Sequence, residues 1–62
     1  TTSSNLSIIY DGDTEGEVFL YRDGELIDTS SEINTTFTIP GSGYYTIEIT
    51  TDNWIATGDF EI

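Results

Sequence analysis

Residues 43–62 read Gly43-Tyr44-Tyr45-Thr46-Ile47-Glu48-Ile49-Thr50-Thr51-Asp52-Asn53-Trp54-Ile55-Ala56-Thr57-Gly58-Asp59-Phe60-Glu61-Ile62, and the fold turns on this stretch. Successive side chains of a strand point to opposite faces, so a period of two marks a strand with one buried side. Tyr45, Ile47 and Ile49 alternate with Thr46, Glu48 and Thr50; Trp54, Ala56, Gly58, Phe60 and Ile62 alternate in the same way. The polar Thr51-Asp52-Asn53 between them supplies a turn. Two amphipathic strands with a short polar connection predict an antiparallel hairpin. Pairing Ile49 with Trp54 sets Ile47 across from Ala56 and Tyr45 across from Gly58, where the ring covers the bare glycine backbone.

The same period runs upstream. Strands are predicted over 6–10, with Leu6, Ile8 and Tyr10 on one face, and over 17–22, 25–30 and 35–39, the last with Phe37 and Ile39 inward. Thr, Ile, Tyr and Phe are abundant and Ala occurs once, which favours strands over helices. Asp23-Gly24 between two apolar runs is a strong hairpin signal, since both turn positions need positive φ. In that register Arg22 faces Glu25, a surface ion pair worth less than about 1 kcal/mol. Residues 30–34 read as a loop, and Pro40-Gly41-Ser42-Gly43 stops the strand before it. In the middle hairpin Val18, Leu20 and Ile27 share one face while Phe19, Tyr21 and Leu26 share the other. Both faces are apolar, so Phe19, Tyr21 and Leu26 are candidates for an interface.

Composition narrows the class of role. The chain has 62 residues, 12 of them acidic against one basic residue, Arg22, for a formal net charge of −11. Such a surface repels nucleic acid and anionic membranes. It contains neither His nor Cys, which removes disulfides and tetrahedral zinc. Nucleophilic catalysis needs a base beside Ser or Thr, and His and Lys are both missing, so no enzyme is expected. At 35% apolar with eight aromatics the chain is too hydrophobic for a disordered tail. No run approaches the ~18 apolar residues of a membrane span. Residues 1–5 read as a polar linker or mature terminus and 6–62 as one domain. A domain this size buries only about 60% of its unfolded surface, so help from a neighbour is expected. The acidity admits three readings: a solvated surface, a high-salt medium that screens repulsion, or divalent cation binding.

Two motifs suggest ligands. Asp11, Asp13 and Glu15 stand at alternate positions before Gly16, as in the opening of a D-x-D-x-[DN]-G calcium loop. The twelfth position is Arg22 where that loop has a bidentate Glu, so the plainer reading is an acidic connection. Tyr44 and Trp54, beside Tyr45, could form a sugar-stacking platform, though buried aromatics are the ordinary expectation. Asn5-Leu6-Ser7 and Asn34-Thr35-Thr36 are sequons with meaning only in a glycosylating host.

Val18-Phe19-Leu20-Tyr21-Arg22-Asp23-Gly24-Glu25-Leu26-Ile27 resembles the hairpin of small immunoglobulin-like or fibronectin-type-III-like modules. The close, Gly43-Tyr44-Tyr45-Thr46-Ile47-Glu48-Ile49 with Gly58-Asp59-Phe60-Glu61-Ile62, is similar to that of short secreted or cell-surface bacterial β-sandwich domains of C-terminal module type. The resemblance implies an all-β, immunoglobulin-like antiparallel sandwich of five to six strands, completed by a neighbouring subunit or domain. The chain departs from it in lacking Lys and in its short first half; a full seven-strand sandwich takes about 100 residues. The implied role is a non-enzymatic extracellular or cell-surface structural or adhesion module. It would be a filament subunit or part of a larger surface protein, assembled by strand addition, with residues 1–10 exchanging between copies. Its partner would be protein, through self-association or a neighbouring domain, and no cofactor is implied. The alternative is a calcium- or carbohydrate-binding module.

Overall fold

The alternating pattern builds six strands and no helix among residues 4–12 and 15–62, which the computed structural model describes. The strands are β1 (Ser4–Ile8), β2 (Glu15–Arg22), β3 (Glu25–Glu32), β4 (Thr35–Ile39), β5 (Tyr44–Thr50) and β6 (Ile55–Glu61). They form two antiparallel sheets, a pair β1-β4 and a four-stranded sheet ordered β3-β2-β5-β6. The chain therefore crosses between sheets after β1, β3 and β4.

Between the sheets lies one core. Val18 and Leu20 of β2 and Tyr45 and Ile47 of β5 meet Phe37 and Ile39 of β4, with Leu6, Ile8, Ile49 and Phe60 packed around them. On the inner face Leu20 stands across from Ile47, and Ile47 across from Gly58; Val18, Ile49 and Ala56 form the next row. From the smaller sheet, Leu6 and Phe37 are cross-strand partners that point into the same core.

Local chemistry sets the turns. Asp23 (φ 51°) and Gly24 (φ 85°) both have positive φ, the conformation that a two-residue hairpin needs and that Asp-Gly supplies at low cost. The Asp23 N–H donates to the Tyr44 carbonyl at 2.7 Å, and the Tyr44 N–H donates to Asp23 Oδ1 at 3.1 Å. This turn is thereby tied to β5. Arg22 pairs with Glu25 in the β2-β3 register, as its position predicts. Its guanidinium, however, donates to the Ser42 carbonyl from Nε (3.2 Å) and Nη2 (2.6 Å). The lone cation thus fastens the 40–43 loop to the sheet. At Gly16 the backbone comes close: an added Cβ would lie 2.8 Å from the Thr50 carbonyl oxygen.

Several expectations are corrected. The β5-β6 register differs by two residues, with Ile49 across from Ala56, Ile47 from Gly58 and Tyr45 from Phe60. The reason is a longer turn. The Thr51 N–H donates to the Trp54 carbonyl at 2.9 Å, and Thr51 Oγ1 accepts from the Asn53 and Trp54 N–H groups. Trp54 therefore belongs to the turn and not to the inner row of β6. Tyr45 stacks on Phe60 (centroids 5.4 Å, interplanar 11°) in place of covering Gly58. β1 spans Ser4–Ile8 and so ends two residues before the expected strand; Tyr10 leaves the sheet, its N–H bonded to Asn34 Oδ1 at 2.6 Å. Ile27 does not join Val18 and Leu20, because a bulge in β3 pairs Tyr21 with Leu26 but Leu20 with Asp28. One extra residue in a strand turns its side chain away from the expected face. Finally, Ile33, in the stretch read as a loop, is fully buried.

Candidate functional site

The four-stranded sheet is wider than the pair that covers it. β1 and β4 shield the inner face over β2 and β5, but the inner residues of β6 lie open: Ala56 and Gly58 are exposed and Phe60 is half-buried. The result is an apolar groove of about 320 Å³ between β1 and β6, floored by Leu6, Ile8, Ile47, Ile49, Gly58 and Phe60. Nothing lies within 4 Å of a Cβ added at Gly58, so the row of small residues leaves room there.

Both strands that border the groove end their sheets. Among the described residues β1 pairs with β4 alone and β6 with β5 alone, so each presents one unpaired edge there. The β5-β6 ladder is continuous to its last pair, with reciprocal Gly43 and Ile62 backbone bonds of 3.0 Å. A long, regular edge of this kind is a template for a further strand. The apolar floor and the free backbone edge of β6 thus lie side by side.

The rim is negative. Asp59 borders the groove, and Glu61 follows two residues on along the same face of β6. The Tyr44 hydroxyl donates to Asp59 Oδ2 at 3.0 Å. That hydrogen bond, then the Asp59 charge, with slight burial and Glu61 adding, holds the Tyr44 phenol above its ordinary value. A phenol that resists ionisation reports the local negative field.

The predicted ligand residues fall elsewhere. Tyr44 and Trp54 are not brought together: Tyr44 begins β5 and Trp54 follows its far end, so about 20 Å of strand separates them. Trp54 instead meets Tyr10 (centroids 5.3 Å, interplanar 53°). Beside them is a polar hollow of about 160 Å³ lined by Glu15, Thr51, Asp52 and Asn53. No signal in the sequence joins Tyr10 to Trp54, which are 44 positions apart. Of the calcium residues, Asp11 and Glu15 are exposed and Asp13 lies outside the described residues. Among the described residues no group of three acidic side chains is placed to hold a metal ion. Phe19, Tyr21 and Leu26 do share the outer face of the four-stranded sheet, with Tyr21 directly across from Leu26; the first two are half-buried and Leu26 is exposed.

Comparison of this chain with family models, with curated proteins and with solved structures finds no match.

Proposed function

We propose that this chain is a non-enzymatic structural or adhesion module of immunoglobulin-like type, working outside the cell or on its surface and assembled by strand addition. The observation that carries the reading is the apolar groove between the free edges of β1 and β6.

Two features support the immunoglobulin-like part. The order β3-β2-β5-β6 corresponds to strands C′, C, F and G of such a sandwich, and β1-β4 to strands B and E. In addition, the Tyr45 hydroxyl donates to the Gly41 carbonyl at 2.7 Å. A tyrosine near the start of strand F bonded to backbone a few residues upstream is the tyrosine corner of these folds. On this correspondence the groove lies at the place of strand A, beside β1, where the described residues supply no strand. An extended segment laid there would extend the smaller layer and bury Ala56, Gly58 and Phe60.

Amide hydrogen exchange tests the reading. In the isolated domain β6 edge amides should exchange much faster than those of β2, and protection should rise on assembly into the parent structure. A chain that stays monomeric at millimolar concentration, with β6 protected as strongly as β2, speaks against strand addition.

A second reading, carbohydrate binding, is favoured by the Tyr10–Trp54 pair beside Asp52 and Asn53. Aromatic faces next to hydrogen-bonding side chains suit sugar rings. Titration of Trp54 fluorescence with oligosaccharides tests it; an unchanged spectrum removes it.

A further inference from the structure

We infer that the hollow beside Tyr10 and Trp54 takes a cationic amino sugar, a hexose unit bearing a protonated amine, in preference to a neutral or acidic one. The inference rests on the carbohydrate reading given second above and adds the class of sugar.

The two rings are held in place by their own backbone. The Thr51 N–H and the Thr51 hydroxyl both donate to the Trp54 carbonyl, at 2.9 and 3.1 Å, and the Trp54 N–H donates back to Thr51 Oγ1 at 3.0 Å. The Tyr10 N–H is bonded to Asn34 Oδ1. Its ring lies close over Gly12, where an added Cβ would come within 2.8 Å of a ring carbon. Glycine there leaves the ring its place against Trp54. An aromatic pair fixed before the ligand arrives loses little freedom on binding.

The charges on the lining select the sugar. The hollow of about 160 Å³ shares Glu15, Thr51 and Asp52 with a second of about 300 Å³, which adds Glu17. The two adjoin at one end of the four-stranded sheet, and all three carboxylate side chains are exposed. Neither lining contains a basic residue. Arg22 stands at the far end of β2, bonded to the Ser42 carbonyl. A neutral sugar laid over these carboxylates takes them out of water and returns no charge, which is costly. A sugar acid is repelled. A protonated amine makes charge-assisted hydrogen bonds, about twice as strong as neutral ones. Near the Trp54 ring it gains a further attraction from the ring face. A lysine side chain offers the same ammonium but no ring to lie against the aromatics and no hydroxyls for Asn53.

The experiment titrates the intact chain at about pH 6, where amines are protonated and carboxylates ionised, and at low salt, about 10 mM. The probes are oligomers of equal length of glucosamine, N-acetylglucosamine, galacturonic acid and lysine. Trp54 is the only tryptophan, so its fluorescence reports this site, and amide NMR shifts locate each ligand. The glucosamine oligomer should bind at least about tenfold tighter than the N-acetyl and lysine oligomers, with shifts around Tyr10, Asp52 and Trp54, and the galacturonate oligomer should not bind. Asp52→Asn should narrow the preference for the amine over its acetylated form. Glu25→Gln, the same loss of charge beyond the other end of β2, should leave that preference as it was. Both positions are exposed, and the spectrum of each variant checks its fold.

Equal binding of the N-acetyl oligomer at these amides overturns the choice of a cationic sugar and leaves the carbohydrate reading standing. Equal loss of preference in Glu25→Gln shows that the overall charge of −11 selects the amine, which overturns the role of the hollow. Equal binding of oligolysine, or no binding by any oligosaccharide, overturns both the inference and the carbohydrate reading beneath it.

Discussion

The inner face of the four-stranded sheet behaves as two surfaces. Over β2 and β5 the residues Val18, Leu20 and Tyr45 are fully buried beneath β1 and β4. Along β6, in the same sheet and with the same alternation, Ala56 and Gly58 are exposed. Both ladders are continuous, and the halves differ in their cover and in the size of their inner side chains. Pattern makes a strand; a second layer makes a core.

The largest expected effect comes from breaking the covered half. Tyr45→Ala removes a ring stacked on Phe60 and a hydroxyl bonded to Gly41, and should cost about 3–5 kcal/mol. In a domain this small that loss is enough to abolish the cooperative melting transition by circular dichroism. Ile33→Ala, beneath the β3-β4 connection, should cost about 2–4 kcal/mol in urea denaturation, although its neighbours in sequence are polar.

Two glycines sharpen the contrast. Gly16→Ala drives a methyl against the Thr50 carbonyl and should destabilise by about 1–3 kcal/mol. At Gly58, on the open half, an added Cβ meets no atom within 4 Å, so Gly58→Val, which gains strand propensity, should be neutral or stabilise by up to about 1 kcal/mol. A large loss at Gly58 in the same denaturation series would mean that β6 is covered in solution.

The smallest effect is spectroscopic. The Tyr44 phenol ionises above its ordinary value because Asp59 accepts its hydrogen bond and repels the phenolate. Its folded value being raised, the Tyr44–Asp59 contact is intact below the unfolded value near 10 and is lost as pH rises through the folded one. The phenolate absorbance that Tyr44→Phe removes should appear above the ordinary range, and Asp59→Asn should bring it back down.

Much of the strand inventory was legible because a buried face writes a period of two into the sequence. The bounds of β4, the Asp23-Gly24 turn and the inward set Phe37, Ile39, Tyr45 and Ile47 all follow from local chemistry. Register was less legible. The β5-β6 pairing depends on whether the turn ends at Asn53 or includes Trp54, and the Thr51 hydrogen bonds that decide it leave no periodic trace. The bulge that turns Ile27 outward is hidden for the same reason.

By itself the amino-acid sequence determined that this chain is built of strands and that its surface is strongly acidic, since alternation and charge are properties of neighbouring residues. Only the tertiary structure decided which apolar residues are covered. It stacked Tyr45 on Phe60, buried Ile33 and left Ala56 and Gly58 bare. Those outcomes depend on how wide one sheet is relative to the other, and that width arises from contacts between residues far apart in the chain.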